Sequence, residues 1–205
     1  MGNYQLKIRS TTDSSKGYEG KGTATYPNGD TYVGLFKDGV RHGYGVYTYA
    51  STLDTYEGEW LNNEKHGIGK QTYVKDGSYY GAFQNGKRHG EGVFTYKNGD
   101  IYSGKWENGK KNGQGTYIFE ETKMKVKGSW SNSEIQEGDW IFPNDKVYPK
   151  ETYFRGKFDK NNPKGEGTWY FKNGNIIKGE FSHIIPENND DKNTKIKLNW
   201  VSFQN

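Results

Sequence analysis

Tyr102-Ser-Gly-Lys-Trp-Glu-Asn-Gly-Lys-Lys-Asn-Gly-Gln-Gly-Thr-Tyr-Ile-Phe119 is the stretch that decides the fold. It reads as two short strands joined by a glycine-bearing turn. Near-copies run from Tyr32 to Tyr49, Tyr56 to Tyr73, Tyr79 to Tyr96 and Phe154 to Phe171. From leading aromatic to leading aromatic the steps are 24, 23, 23 and 24 residues up to Val126. A fixed period of this size marks a repeat array, each unit too small to bury a core alone.

Composition fits an array one sheet thick. Only 30% of the 205 residues are hydrophobic, yet 16% are aromatic, with 29 glycines and 17 tyrosines. Such a chain cannot build a thick aliphatic core, but rings cover a large area at small rotamer cost. Strand alternation then sorts the side chains. Tyr32, Gly34 and Phe36 share a face, as do Tyr56, Gly58 and Trp60; Tyr79, Gly81 and Phe83; and Tyr102, Gly104 and Trp106. On the second strands the glycine pairs Gly43/Gly45, Gly67/Gly69, Gly90/Gly92, Gly113/Gly115 and Gly165/Gly167 lead into further aromatics. Glycine costs conformational entropy in a strand. A ring from a neighbouring strand lying flat over it repays that cost, which explains why the two residue types recur together. Thr25, Thr48, Thr72 and Thr95 fall in one column of the opposite face, which reads as polar.

The array is expected to span residues 17–181, after a flexible arm at 1–16 and before a linker and terminal strand at 182–205. About 14 strands at roughly 4.8 Å each predict a sheet on the order of 65 Å long. Asn28-Gly29, Asp76-Gly77, Asn98-Gly99 and Asn173-Gly174 read as tight hairpin turns. The fifth copy, 126–153, is degenerate: Ser133 stands at the turn glycine, Gly138 stands alone, and Pro143 and Pro149 follow. It is expected to leave plain hairpin geometry. In the terminal segment Ile196, Leu198 and Trp200 alternate with polar or smaller residues. That pattern suits a strand that caps the last hairpin near Phe171 and Phe181, or one that docks on a partner.

No constellation for catalysis stands out. His42, His66 and His89 recur at one repeat position, but two strands separate successive copies, about 10 Å, too wide for one metal ion. There is no cysteine, no phosphate-binding loop and no Ser/His/acid set. The expectation is therefore no enzyme, no metal and no cofactor. The net charge of +4 is mixed throughout rather than gathered on one face, which argues against nucleic acid. The first residues lack a secretory signal's apolar run, and no stretch reaches the roughly 20 apolar residues that span a bilayer.

The unit Tyr-x-Gly-x-Trp/Phe-x-x-Gly-x-x-x-Gly-x-Gly resembles the membrane occupation and recognition nexus (MORN) repeat, over residues 17–181. Tyr32, Gly34, Phe36, Gly39, Gly43 and Gly45 match it, as do Tyr102, Gly104, Trp106, Gly109, Gly113 and Gly115. The resemblance implies an all-β, elongated, twisted single-layer antiparallel sheet of stacked hairpins. Copy order is similar to that of the radial spoke head component 1 family of motile cilia. It shares the opening Gly20 to Tyr32, a late degenerate copy, and Gly156-Lys-Phe158-x-Lys-Asn-x-Pro163-x-Gly165-x-Gly167. This implies a structural role in the axoneme, with other spoke-head proteins as partners and the central apparatus nearby; homodimerisation is left open. The alternative is a membrane- or phosphoinositide-tethering module, which wants a basic strip or an anchor. On either reading the docking surface is expected to be the ring face: Tyr32, Phe36, Tyr56, Trp60, Tyr79, Phe83, Tyr102, Trp106 and Trp130.

Overall fold

A computed structural model describes residues 7–8, 15–143, 151–184 and 196–203. Tyr148-Pro149, most of the amino-terminal arm and the linker around Glu187 to Asn193 lie outside the described residues. The chain divides into two compact units, residues 1–110 and 111–205. The first holds β1 (Lys7–Ile8), β2 (Gly20–Thr25), β3 (Thr31–Lys37), β4 (Val40–Thr48), β5 (Thr55–Leu61), β6 (Glu64–Tyr73), β7 (Gly77–Gln84), β8 (Lys87–Tyr96) and β9 (Ile101–Glu107). The second holds all but the first residue of β10 (Lys110–Ile118), then β11 (Lys125–Ser131), β12 (Glu134–Phe142), β13 (Thr152–Asp159), β14 (Asn162–Tyr170), β15 (Ile176–Ile184) and β16 (Lys197–Ser202). Within each unit the strands lie in chain order in one open layer, with no helix among the described residues. Pairing is antiparallel except at β1, which runs parallel to β2.

Two kinds of connection alternate, and the dipeptides Asn28-Gly29, Asp76-Gly77, Asn98-Gly99 and Asn173-Gly174, expected as tight hairpin turns, do not form the tighter kind. The tight turns lie inside the repeats, at Asp38-Gly39, Asn62-Asn63, Asn85-Gly86, Asn108-Gly109, Asn132-Ser133 and Lys160-Asn161. Both residues of each take positive φ, between 48° and 84°. That is the mirror-image two-residue turn whose twist matches the flanking strands. The Asn-Gly signals at Asn28, Asn98 and Asn173 lie in longer connections with a single left-handed glycine each. There the asparagine Oδ1 accepts from the backbone N–H two residues on, at Asp30, Asp100 and Asn175. Asn-Gly is thus read differently when the asparagine side chain takes over the turn's hydrogen bonding.

The two glycines of each Gly-x-Gly also serve different needs. The second belongs to a row running strand to strand: Gly22, Gly34, Gly45, Gly58, Gly69, Gly81, Gly92 and Gly104 in the first unit. Tyr32 lies on this row so closely that a Cβ at Gly45 would meet its ring at 2.3–2.5 Å. Tyr56 does the same at Gly69, Tyr79 at Gly92 and Phe154 at Gly167. The first glycine sits at a bulge with positive φ, 64° at Gly43 and 61° at Gly90. The tyrosine hydroxyl then donates to the carbonyl beside the bulge: Tyr32 to Leu35, Tyr56 to Glu59 and Tyr79 to Ala82, at 2.8–3.0 Å.

The fifth copy corrects its expectation. It is a hairpin like the others, β11 with β12, closed by the same two-residue turn. Its glycines Gly128 and Gly138 are 10 residues apart where Gly34 and Gly45 are 11 apart. One residue fewer makes a smaller bulge, at Ser129/Trp130, so the left-handed glycine is not needed. Pro143 lies just past the end of β12.

Candidate functional site

The ring face is the core, which corrects the expectation of an open aromatic strip. Tyr32, Tyr56, Tyr79 and Tyr102 are 0% exposed, and Phe36, Trp60, Phe83, Trp106 and Trp130 are 3–5% exposed. Successive rings cover one another edge to face: Tyr32 meets Phe36 at 5.1 Å and Trp60 at 5.4 Å, and Tyr79 meets Phe83 at 5.1 Å and Trp106 at 5.2 Å. Indole N–H groups donate to glycine-row carbonyls, Trp60 to Gly45 and Trp130 to Gly115. Burial raises the tyrosine hydroxyl pKa at Tyr32, Tyr56, Tyr79 and Tyr102.

What closes this face is a set of cations. Arg41, Lys65, Arg88 and Lys111 follow the repeat period and lie over rings. The Arg41 guanidinium is 4.7 Å from the Trp60 ring centre, Arg88 is 4.4 Å from Trp106, and the Lys111 ammonium is 4.6 Å from Trp130. The same residues tie one copy to the next. The second turn residue of the following copy donates its N–H to their carbonyl: Asn63 to Arg41, Gly86 to Lys65, Gly109 to Arg88 and Ser133 to Lys111. Arg41 and Arg88 also donate to the Asn63 and Gly109 carbonyls. Where the second turn residue is not glycine, its side chain accepts a further bond, Asn63 from the Arg41 N–H and Ser133 from the Lys111 N–H. Lys65 has weaker support: its Nζ donates to Gln71 and lies 5.5 Å from the Tyr56 ring centre. Burial, with Arg88 nearby, lowers its pKa to about 8. The spacing 41, 65, 88, 111 was visible in the sequence; its meaning was not.

The histidines do not converge. His66 offers its backbone carbonyl to the Tyr56 hydroxyl, and no group of three potential metal ligands occurs among the described residues. At the carboxyl end Leu198 and Trp200 lie on β16, which pairs with β15, while Ile196 precedes the strand. The Trp200 ring is 4.9 Å from Phe181 and 5.8 Å from Phe154.

The opposite face is less polar than its threonine column suggested. That column is real in the first unit: Thr25, Thr31, Thr48, Thr55, Thr72, Ser78 and Thr95 stand in register on successive strands. Beside it, however, stand Val33, Leu35, Tyr44, Ile68, Tyr80 and Val93, each 37–61% exposed. They bracket Glu57 and Glu59 on β5. In the second unit, on the face away from its rings, a hollow of about 750 Å³ is walled by Lys127, Glu137, Asp139 and Lys157. There Arg155 grips Asp139 with two hydrogen bonds, at 2.6 and 2.9 Å.

In each unit an open layer built from one repeated hairpin, with rings as its core, defines a repeat architecture. The MORN repeat model matches residues 15–31, 32–52, 56–78, 79–101, 102–121 and 154–176, more than half of the chain. The chain belongs to the MORN-repeat family. The gap between the last two matches holds the fifth copy, whose hairpin persists without the consensus. No curated protein matches the chain.

Proposed function

We propose that this chain is a non-enzymatic scaffold subunit of the radial spoke head in the axoneme of motile cilia. It binds other spoke-head subunits there and stands near the central apparatus. The observation that carries the binding role is the threonine face of the first unit, where six large apolar side chains stay in solvent on neighbouring strands. Exposed apolar groups gathered in this way mark interaction surfaces. The spoke-head placement is supported by the order of the copies, with a late irregular one followed by Gly156 to Gly167. The membrane-tethering alternative is disfavoured because Arg41, Lys65, Arg88 and Lys111 are engaged with rings and turns rather than presented as a basic strip.

Expression of the tagged chain in ciliated cells, followed by axoneme extraction and mass spectrometry, tests the reading. The expected outcome is co-purification with spoke-head subunits in near-stoichiometric amounts. Recovery in the membrane fraction, with none in axonemes, would overturn it.

A further inference from the structure

We propose that the threonine face of β3 to β8 is a docking site for a cationic amphipathic helix of a partner protein, with Glu57 and Glu59 at its electrostatic centre. The proposal rests on the protein-scaffold reading and names the chemistry of what is bound.

Register places the parts. One row across the strands is Val33, Val46, Glu57, Lys70, Tyr80 and Val93, each the pairing partner of the next. Beside it Tyr44 pairs with Glu59, and Ile68 with Ala82. Tyr44, Glu57, Glu59, Ile68, Lys70 and Tyr80 line a hollow of about 390 Å³. Its two carboxylates are held from within. Glu57 accepts from the Tyr44 hydroxyl at 2.8 Å, and Glu59 from the Ile68 N–H at 3.0 Å. Neither forms an ion pair among the described residues. Held in place beside exposed apolar groups, the acids leave a local negative charge for an incoming cation to neutralise.

The fold does not demand these residues. At the positions of Glu57 and Glu59 the other full copies carry Val33 and Leu35, Tyr80 and Ala82, Ser103 and Lys105, Lys127 and Ser129, and Arg155 and Lys157. The paired acids flanked by exposed rings are therefore a property of this site, not of the repeat. Six strands at about 4.8 Å cover roughly 24 Å, the length of about 16 helical residues, and the helix pitch of about 5.4 Å is close to the strand spacing. A helix crossing the strands can thus set successive apolar side chains over successive strands, with Lys or Arg over β5. The acids disfavour an anionic membrane or nucleic acid as occupant.

The test uses the full chain and two synthetic amphipathic helical peptides of about 16 residues. Both have a leucine stripe, one flanked centrally by lysines and the other by glutamates, and binding is read by fluorescence anisotropy. The lysine peptide should bind about tenfold or more tighter than the glutamate peptide. Glu57→Lys with Glu59→Lys, both at exposed positions, should reverse that order while leaving the far-UV spectrum unchanged. Tyr80→Ser should weaken the lysine peptide roughly fivefold or more without changing the order. Equal binding of the two peptides, or an unchanged order in the double variant, would overturn the proposal. Tyr80-dependent binding to phosphatidylserine vesicles without a peptide preference would give the face to a membrane. Tyr80-dependent self-association would give it to a second copy. Absence from spoke heads with peptide selectivity intact would remove only the ciliary placement; incorporation without selectivity would remove only this site.

Discussion

At the residue scale, stability depends on pairs of unlike partners, a ring with a glycine and a cation with a ring. Gly45 has an extended backbone, so its requirement is space and not φ: the Tyr32 hydroxyl would lie 2.3 Å from a Cβ there. Gly45→Ala should therefore displace a fully buried ring and the Leu35 carbonyl bond it makes. We expect a loss of about 2–4 kcal/mol in urea unfolding, with Gly86→Ala, where a Cβ meets nothing within 4 Å, costing less and only through its left-handed φ. Lys65 gives a pH signature. Its folded pKa is about 8 against 10.5 unperturbed, because burial and Arg88 disfavour the charged form. Between those values the unfolded chain holds more protons than the folded one, so stability should rise with pH across about 8 to 10.5. Above pH 10 the raised hydroxyl pKa values of Tyr32, Tyr56, Tyr79 and Tyr102 act the other way, since unfolding then releases protons. A shallow maximum in unfolding free energy between about pH 8 and 10, whose rising limb disappears in Lys65→Met, is the expected result of pH-resolved urea titrations.

The hairpin is the element, and its turn does more than reverse the chain. The second turn residue links to the cation of the previous copy, so consecutive hairpins are joined at their tips as well as along their strands. At Asn63 the two demands meet: φ is 70°, and Oδ1 accepts from the Arg41 N–H at 2.9 Å. Asn63→Ala should strain the backbone and orphan that donor, at a cost of about 1–2 kcal/mol. Asn63→Gly relieves φ and loses only the acceptor, so thermal melts should show a smaller decrease. Elements of this kind were largely legible. Strand faces, the glycine row and the ring stacking follow from alternation, and the terminal strand follows from Ile196, Leu198 and Trp200. Turn type was not legible from Asn-Gly alone, because the dipeptide suits both a mirror-image turn and a side-chain-bonded one. The fifth copy keeps its hairpin because its consensus letters change while its constraints do not: Asn132-Ser133 still takes positive φ, and Ile135 fills buried space in the slot that holds Arg41, Lys65, Arg88 or Lys111 in the four preceding copies.

At the scale of the whole molecule, each unit is a layer without a second sheet and covers its core with its own side chains. Strand alternation shows which side chains share a face but not what lies over them, so the ring face reads as a docking surface. Arg41, Lys65, Arg88 and Lys111 supply its cover, and the exposed Tyr44, Ile68 and Tyr80 stand on the other face. The same logic assigns β16 a structural role at the carboxyl end. Six pairings with β15 satisfy that strand's outer N–H and C=O groups, and Trp200 lies against Phe181 and Phe154. In quasi-one-dimensional arrays a lost element is felt mainly by its neighbours. Deletion of residues 194–205 should therefore uncover Phe181, leave β15 as a free edge and destabilise the second unit by about 2–4 kcal/mol. Hydrogen exchange resolved along the chain is the deciding measurement. Amides of β14 and β15 should exchange at least about tenfold faster, while β3 to β8 keep their protection. Unchanged protection in β15 would mean that the strand does not cap the sheet in solution and is available for docking elsewhere.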